Sequence, residues 1–198
     1  MPSKNVIKRY DAPAFYHVYN RGAGGQKIFI DDADRAKFLH LIQRYTIGVP
    51  EESEDHYPQF DIEVVAYCLM GNHFHLLLFQ ENDTTQITGF MRSLGTAYAM
   101  YFNRRHKLCG HLFQEIYRAS HISDDAYLAH ISRYIHLNPP KYKTYIWSSL
   151  PDYLGRRTTE WLAPQRVLDV TPAAYMEFLE DYRDRFELLH EYNEELAF

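Results

Sequence analysis

The sequence has little cysteine and no long apolar run. Its 198 residues contain two cysteines, Cys68 and Cys109. Two thiols cannot build a disulfide framework, and their scarcity fits a reducing compartment. No stretch approaches the ~18 apolar residues of a membrane span, so no membrane partner is expected. Met1 to Tyr10 lacks the apolar core of a signal peptide, which predicts a cytoplasmic protein. Positive charge is also short: 21 Lys+Arg stand against 26 Asp+Glu, a net of −5. As a total, that argues against a nucleic-acid partner. Repeats and low-complexity tracts are absent, which excludes solenoids and compositionally biased tails. What is present is a globular composition, 46% hydrophobic and 16% aromatic, long enough to bury a sizeable core.

The charge is segregated. Thr171 to Phe198 holds eight acids and two arginines, and Glu51, Glu52, Glu54 and Asp55 form a second acidic block. Between Thr84 and Trp147 there are eight bases and three acids. Distribution governs partners more than the total does, although acidic and basic runs are also ordinary solvated faces.

The pattern of elements is β-α-β-β-α-β and then α. Residues 14–21 are rich in β-formers and run into Gly22-Ala23-Gly24-Gly25, a strand and turn. Asp31-Asp32 opens a helix with Phe38, Leu39, Ile42 and Tyr45 at helical spacing. Residues 60–69 alternate and then become apolar. Met70-Gly71-Asn72 is a tight turn, and His73 to Gln80 is the returning strand. A long helix spans about Thr85 to His106, a short strand 116–122, and a further helix runs to about Leu137, ended by Pro139-Pro140. Residues 141–170 are irregular. Thr171 caps a last helix with Pro172 in its first turn, and Tyr175, Leu179, Tyr182, Phe186, Leu189 and Leu196 form its apolar stripe. This order predicts an α+β fold, a ferredoxin-like antiparallel sheet with helices on one face and added helices. A division into 1–155 and a C-terminal extension 156–198 is expected.

Three constellations carry chemistry. His73 and His75 are i and i+2 on a strand, so both imidazoles share a face while Phe74, Leu76 and Leu78 enter the core. They make either a metal clamp for Zn, Mn, Co or Ni, or for Mg with oxygen donors, or a pair of hydrogen-bonded histidines. Tyr134 and Asn138 are i and i+4 on a helix face. They make either a phenol nucleophile beside a third ligand, or a core tyrosine and a C-terminal cap. His130 and His136 belong to the same neighbourhood. Arg104, Arg105 and Lys107 end the long helix among aromatics, where Arg92, Arg118, Arg133 and Arg21 can join them. They hold phosphates, or simply meet the helix dipole. A zinc site joining Cys68 to Cys109 is disfavoured, since neither lies in a paired motif.

The segments 16–22 (YHVYNRG), 66–78 (AYCLMGNHFHLLL), 102–106 (FNRRH), 110–114 (GHLFQ), 133–139 (RYIHLNP) and 147–149 (WSS) stand in one order along the chain. In this the chain resembles the single-tyrosine HUH transposases, in particular their REP-associated tyrosine transposase branch. Gly71 departs from the family's usual proline, and the acidic C-terminal helix has no counterpart in the pattern. The resemblance implies an HUH endonuclease fold and cleavage and strand transfer of single-stranded DNA, often at hairpins, through a 5′-phosphotyrosine. It implies Tyr134 as nucleophile and His73, His75 and Asn138 as ligands of Mg²⁺ or Mn²⁺. It implies a monomer or a homodimer, with a composite site in some members. The alternative readings are a domesticated hairpin-binding protein without strand transfer, and an unrelated metal-dependent hydrolase. The hydrolase lacks a carboxylate near the two histidines in sequence.

Overall fold

The computed structural model describes residues 10–48, 57–123, 125–167 and 171–182. The acidic block at 51–55, and Phe186, Leu189 and Leu196 of the predicted stripe, lie outside them. Four strands, β1 (Ala14–Arg21), β2 (Glu63–Leu69), β3 (His73–Gln80) and β4 (Arg118–Ile122), form one sheet in the order β2-β3-β1-β4. All neighbours are antiparallel. This is the ferredoxin-like order expected from the sequence, with two central strands that carry the functional face.

Helices α1 (Asp32–Thr46) and α2 (Gln86–His106) cover one face. Phe38, Leu41, Ile42, Phe90, Leu94 and Tyr98 pack there on Tyr16, Val18, Phe74, Leu76 and Leu78. Helices α3 (Asp125–Leu137), α4 (Leu150–Tyr153) and α5 (Pro172–Glu180) follow. Leu128, Ile131, Ile135, Leu150, Tyr175 and Leu179 from them pack on Val65, Cys68, Leu77 and Phe79 of the opposite face. The expectation of helices on one face is therefore corrected: both faces are covered. The reason lies in β3. Its run Phe74-His75-Leu76-Leu77-Leu78-Phe79 is buried throughout, and a strand that is apolar on both sides needs two covers.

Local chemistry sets the joints. Asp31 caps α1 in a capping box with Asp34, accepting from Ala33 N and Asp34 N. Arg105, near the end of α2, donates to Asp31 and Asp34, and His106 lies 3.0 Å from Asp34. The start of α1 is thereby tied to the end of α2. Lys107 closes α2 in the left-handed region, φ 54°. The β2–β3 turn is fixed from outside, since the Gly71 carbonyl accepts from Ile28 N and Phe29 N. A Cβ at Gly71 would meet nothing, so glycine in place of proline leaves the two histidines where the turn sets them.

The free edge of β2 is covered. Leu69 N donates to the Trp147 carbonyl and Ser149 N to the Tyr67 carbonyl, while Ala163 N donates to the Val64 carbonyl. Such cover removes a template for unwanted pairing. Arg157 donates to the Ile146 and Ser148 carbonyls and to Asp152, and to the Tyr67 hydroxyl at 2.8 Å. Trp161 and Leu162 pack against the α1/α2 core. Packing therefore continues across residue 155 without a break. No helix among the described residues is long and apolar enough to cross a membrane.

Candidate active site

The site lies on the face of the sheet that α3 covers. Register places Tyr19 opposite His75 and Arg21 opposite His73. The odd-numbered residues of β3 and β1 therefore share this face, which brings His17 of β1 beside His75. The rings of His73 and His75 are 5.1 Å apart and nearly perpendicular. Asn138, one residue beyond α3, bridges them: its Oδ1 is 2.9 Å from His73 Nε2 and its Nδ2 3.3 Å from His75 Nε2. Tyr134, one turn earlier, sets its ring 5.4 Å from that of His75 and 5.8 Å from that of His17. One strand, β3, and one helix, α3, thus bring together the four residues expected to act, and β1 adds His17 behind them.

Each imidazole is held from behind. His75 Nδ1 is 2.9 Å from His17 Nε2, and His73 Nδ1 is 2.7 Å from the Asn72 side-chain oxygen. Both Nε2 atoms therefore face Asn138, the arrangement of ligands oriented by outer partners. Burial pulls the pKa of His17 down to about 4, so a neutral imidazole stands behind His75 Nδ1. His17 and Asn72 lie in the segments 16–22 and 66–78 singled out in the sequence, but no role was assigned to either. Only the pairing of β1 with β3 makes His17 a neighbour, 58 residues away.

The donor set fits a small divalent cation. Ligands at right angles around an ion with bonds of about 2.1 Å lie roughly 3 Å apart, and the Nε2–Oδ1 separation of 2.9 Å matches. Among the described residues, no cluster of three or more His, Cys, Asp and Glu forms a metal cage. The set is two imidazoles and an amide, with no carboxylate among them. A set without carboxylates would leave the charge of a bound cation undiminished for an anionic substrate. Cys68 is buried and Cys109 exposed, and both are free.

Burial raises the pKa of Tyr134, as does the nearby Tyr19 phenol, and a hydrogen bond with Asn138 opposes them. The resting group is therefore a phenol. His136, placed in this neighbourhood by the sequence, instead points away from it into a buried network with Tyr175 and Ser149.

The expected DNA-binding bases divide into two groups. Arg21, Arg92, Arg104, Lys107 and Arg118 are exposed. Arg21 and Arg118 flank the loop 113–117, where they engage Gln114 and Glu115. Arg105 is committed to Asp31 and Asp34. Arg133 departs from the expectation. It is buried, with its guanidinium 4.1 Å from the Phe178 ring and 4.0 Å from the Tyr182 ring, because α5 covers that flank of α3.

Residues 41–138 match the family model described as "Transposase IS200 like". Across those residues the chain is similar to the IS200-like transposase family. Its fold is similar to that of a REP-associated tyrosine transposase solved bound to a REP hairpin: TM-score 0.58, 14% identity, covering 85% of this chain and 96% of that one. A putative transposase from Deinococcus radiodurans R1 aligns with a TM-score of 0.42 and 18% identity, over 68% of this chain and 95% of that one. No curated protein matches the sequence.

Proposed function

We propose that this chain cuts and rejoins single-stranded DNA at hairpins, with Tyr134 as nucleophile and His73, His75 and Asn138 as ligands of Mg²⁺ or Mn²⁺. The observation that carries the reading is the convergence of these four side chains from β3 and α3 of one chain. A bound divalent cation would supply a Lewis acid to a non-bridging oxygen of the scissile phosphate. The protein's own work is then plain. Tyr134 Oη forms a bond to phosphorus and gives up its proton. The bond from phosphorus to the 3′ oxygen breaks, and that oxygen leaves as a 3′-OH. The 5′-phosphotyrosine keeps the bond energy, so a 3′-OH attacking in reverse rejoins a strand without nucleotide hydrolysis.

Burial raises the pKa of Tyr134, so attack would need a bound cation beside the phenol to favour its ionised form. The lack of a carboxylate in the ligand set supports phosphate as the substrate, because nothing anionic there would repel it. The hairpin is proposed from the fold shared with a protein solved on a REP hairpin. Arg21, Arg92, Arg104, Lys107 and Arg118 are proposed to hold the DNA backbone.

The test is incubation of a labelled single strand carrying a hairpin with Mn²⁺ and the purified protein. Cleavage with a free 3′-OH and a protein-linked 5′ end is the expected product. Tight binding without cleavage in any divalent cation would instead make the chain a domesticated hairpin-binding protein.

A further inference from the structure

Helix α3 carries Tyr134 and leads directly to Asn138, so its position on the sheet sets the geometry of the site. Its apolar face, Leu128, Ile131 and Ile135, packs on the strands. Apolar contacts of this kind are non-directional and fix rotation about the helix axis weakly. The neighbouring flank carries Ser132, Arg133 and His136, and all three are held by α5.

Tyr175 of α5 reaches into the flank with its hydroxyl. That oxygen is 3.0 Å from Ser132 Oγ and 2.7 Å from His136 Nδ1. His136 Nε2 is in turn 2.7 Å from Ser149 Oγ, which accepts from Tyr67 N of β2 at 2.8 Å. Every member has a partner: Ser132 Oγ donates to the Ala129 carbonyl, Tyr175 Oη pairs with both Ser132 Oγ and His136 Nδ1, and His136 Nε2 pairs with Ser149 Oγ. The chain is fully buried. Fully satisfied buried networks of this kind are directional and specify one geometry.

The second attachment is Arg133. Its guanidinium lies between the rings of Phe178 and Tyr182, and its Nη1 donates to the Phe178 carbonyl at 3.1 Å. A cation at the last turn of α5 meets the negative end of that helix. Ser132, Arg133 and His136 bracket Tyr134 in sequence. The two attachments therefore act within one turn of the nucleophile, on the side of α3 away from the ligands.

We infer that α5 is a positioning element of the active site. Tyr175 and Arg133 hold α3 at the rotation that aims Tyr134 and Asn138 at His73 and His75, without touching substrate themselves. This rests on the reading of Tyr134 as nucleophile. It also gives the C-terminal region a role in catalysis that its acidic composition does not announce.

Tyr175→Phe removes one oxygen and keeps the ring in the core. Hydrogen exchange of the Ile131–Leu137 amides is expected to quicken roughly fivefold to tenfold, the loss of about one buried hydrogen bond, with Met91–Phe102 of α2 unchanged. Adduct formation at saturating hairpin DNA is expected to slow about tenfold or more, while DNA affinity stays within about twofold of wild type. Leu41→Ala, which opens the α1/α2 core on the opposite face, should lower the melting temperature without slowing the adduct. Unchanged exchange in α3 would overturn the inference. So would a rate that falls equally in the Leu41→Ala protein. A wild-type chain that forms no adduct would instead sink the nucleophile reading, and the exchange measurement would still decide whether α5 holds α3.

Discussion

Nε2 of His17 lies 2.9 Å from Nδ1 of His75, and this pair defines which nitrogen of His75 is available. With Nδ1 engaged by a neutral His17, Nε2 is left facing His73 and Asn138. Outer partners of this kind tune metal affinity by about 10–100-fold. His17→Ala is therefore expected to weaken Mn²⁺ binding by about that factor while leaving the fold intact. Calorimetric titration with Mn²⁺, beside circular dichroism, checks both halves of the statement.

A second expectation concerns the joint between α1 and α2. Burial raises the pKa of Asp34, but hydrogen bonds from His106, Ile30 N and Arg105 outweigh it, and the net shift is downward. A carboxylate whose folded pKa is depressed contributes stability above its unfolded value, near 3.8. It loses that contribution as pH falls through the folded value. Asp34→Asn should cost about 2–4 kcal/mol at neutral pH, the cost of breaking a buried ion pair. In thermal melts from pH 7 to pH 3, the gap between variant and wild type should narrow only below about pH 4.

The region after residue 155 is expected to be part of the folding unit. Arg157 ties the 146–152 segment to Tyr67, and α5 closes the core over α3. Arg157→Ala should lower stability by about 2–3 kcal/mol, since it leaves Asp152 buried and several acceptors unpaired. A chain ending at residue 155 should fail to give a cooperative melt. Urea unfolding of both proteins measures this.

Much of the site was legible before the structure, for physical reasons that differ by residue. His73 and His75 share a face because strand periodicity is two, and Tyr134 and Asn138 because helix neighbours fall at i+4. Periodicity cannot say that two such pairs meet across 63 residues. That came only from the resemblance. His17 was hidden because strand register is a tertiary property. Arg133 was misread because a base beside a nucleophile looks like a phosphate ligand until α5 is seen covering it. Arg105 stands in sequence among bases that suit a DNA contact, and only the fold brings Asp31 and Asp34 from the start of α1 to it. The two-sided cover of the sheet could have been inferred from Leu76-Leu77-Leu78-Phe79, which makes both faces of β3 apolar beyond His75.

The central claim is that Tyr134 is the nucleophile, aimed at a phosphate held beside His73, His75 and Asn138. The most direct measurement is mass spectrometry of the protein–DNA adduct formed with Mn²⁺ on a hairpin-bearing single strand. The account predicts a nucleotide on the peptide containing Tyr134, none in Tyr134→Phe, and Tyr134→Phe binding the DNA as wild type does. An adduct on another residue, or one that persists in Tyr134→Phe, would contradict it.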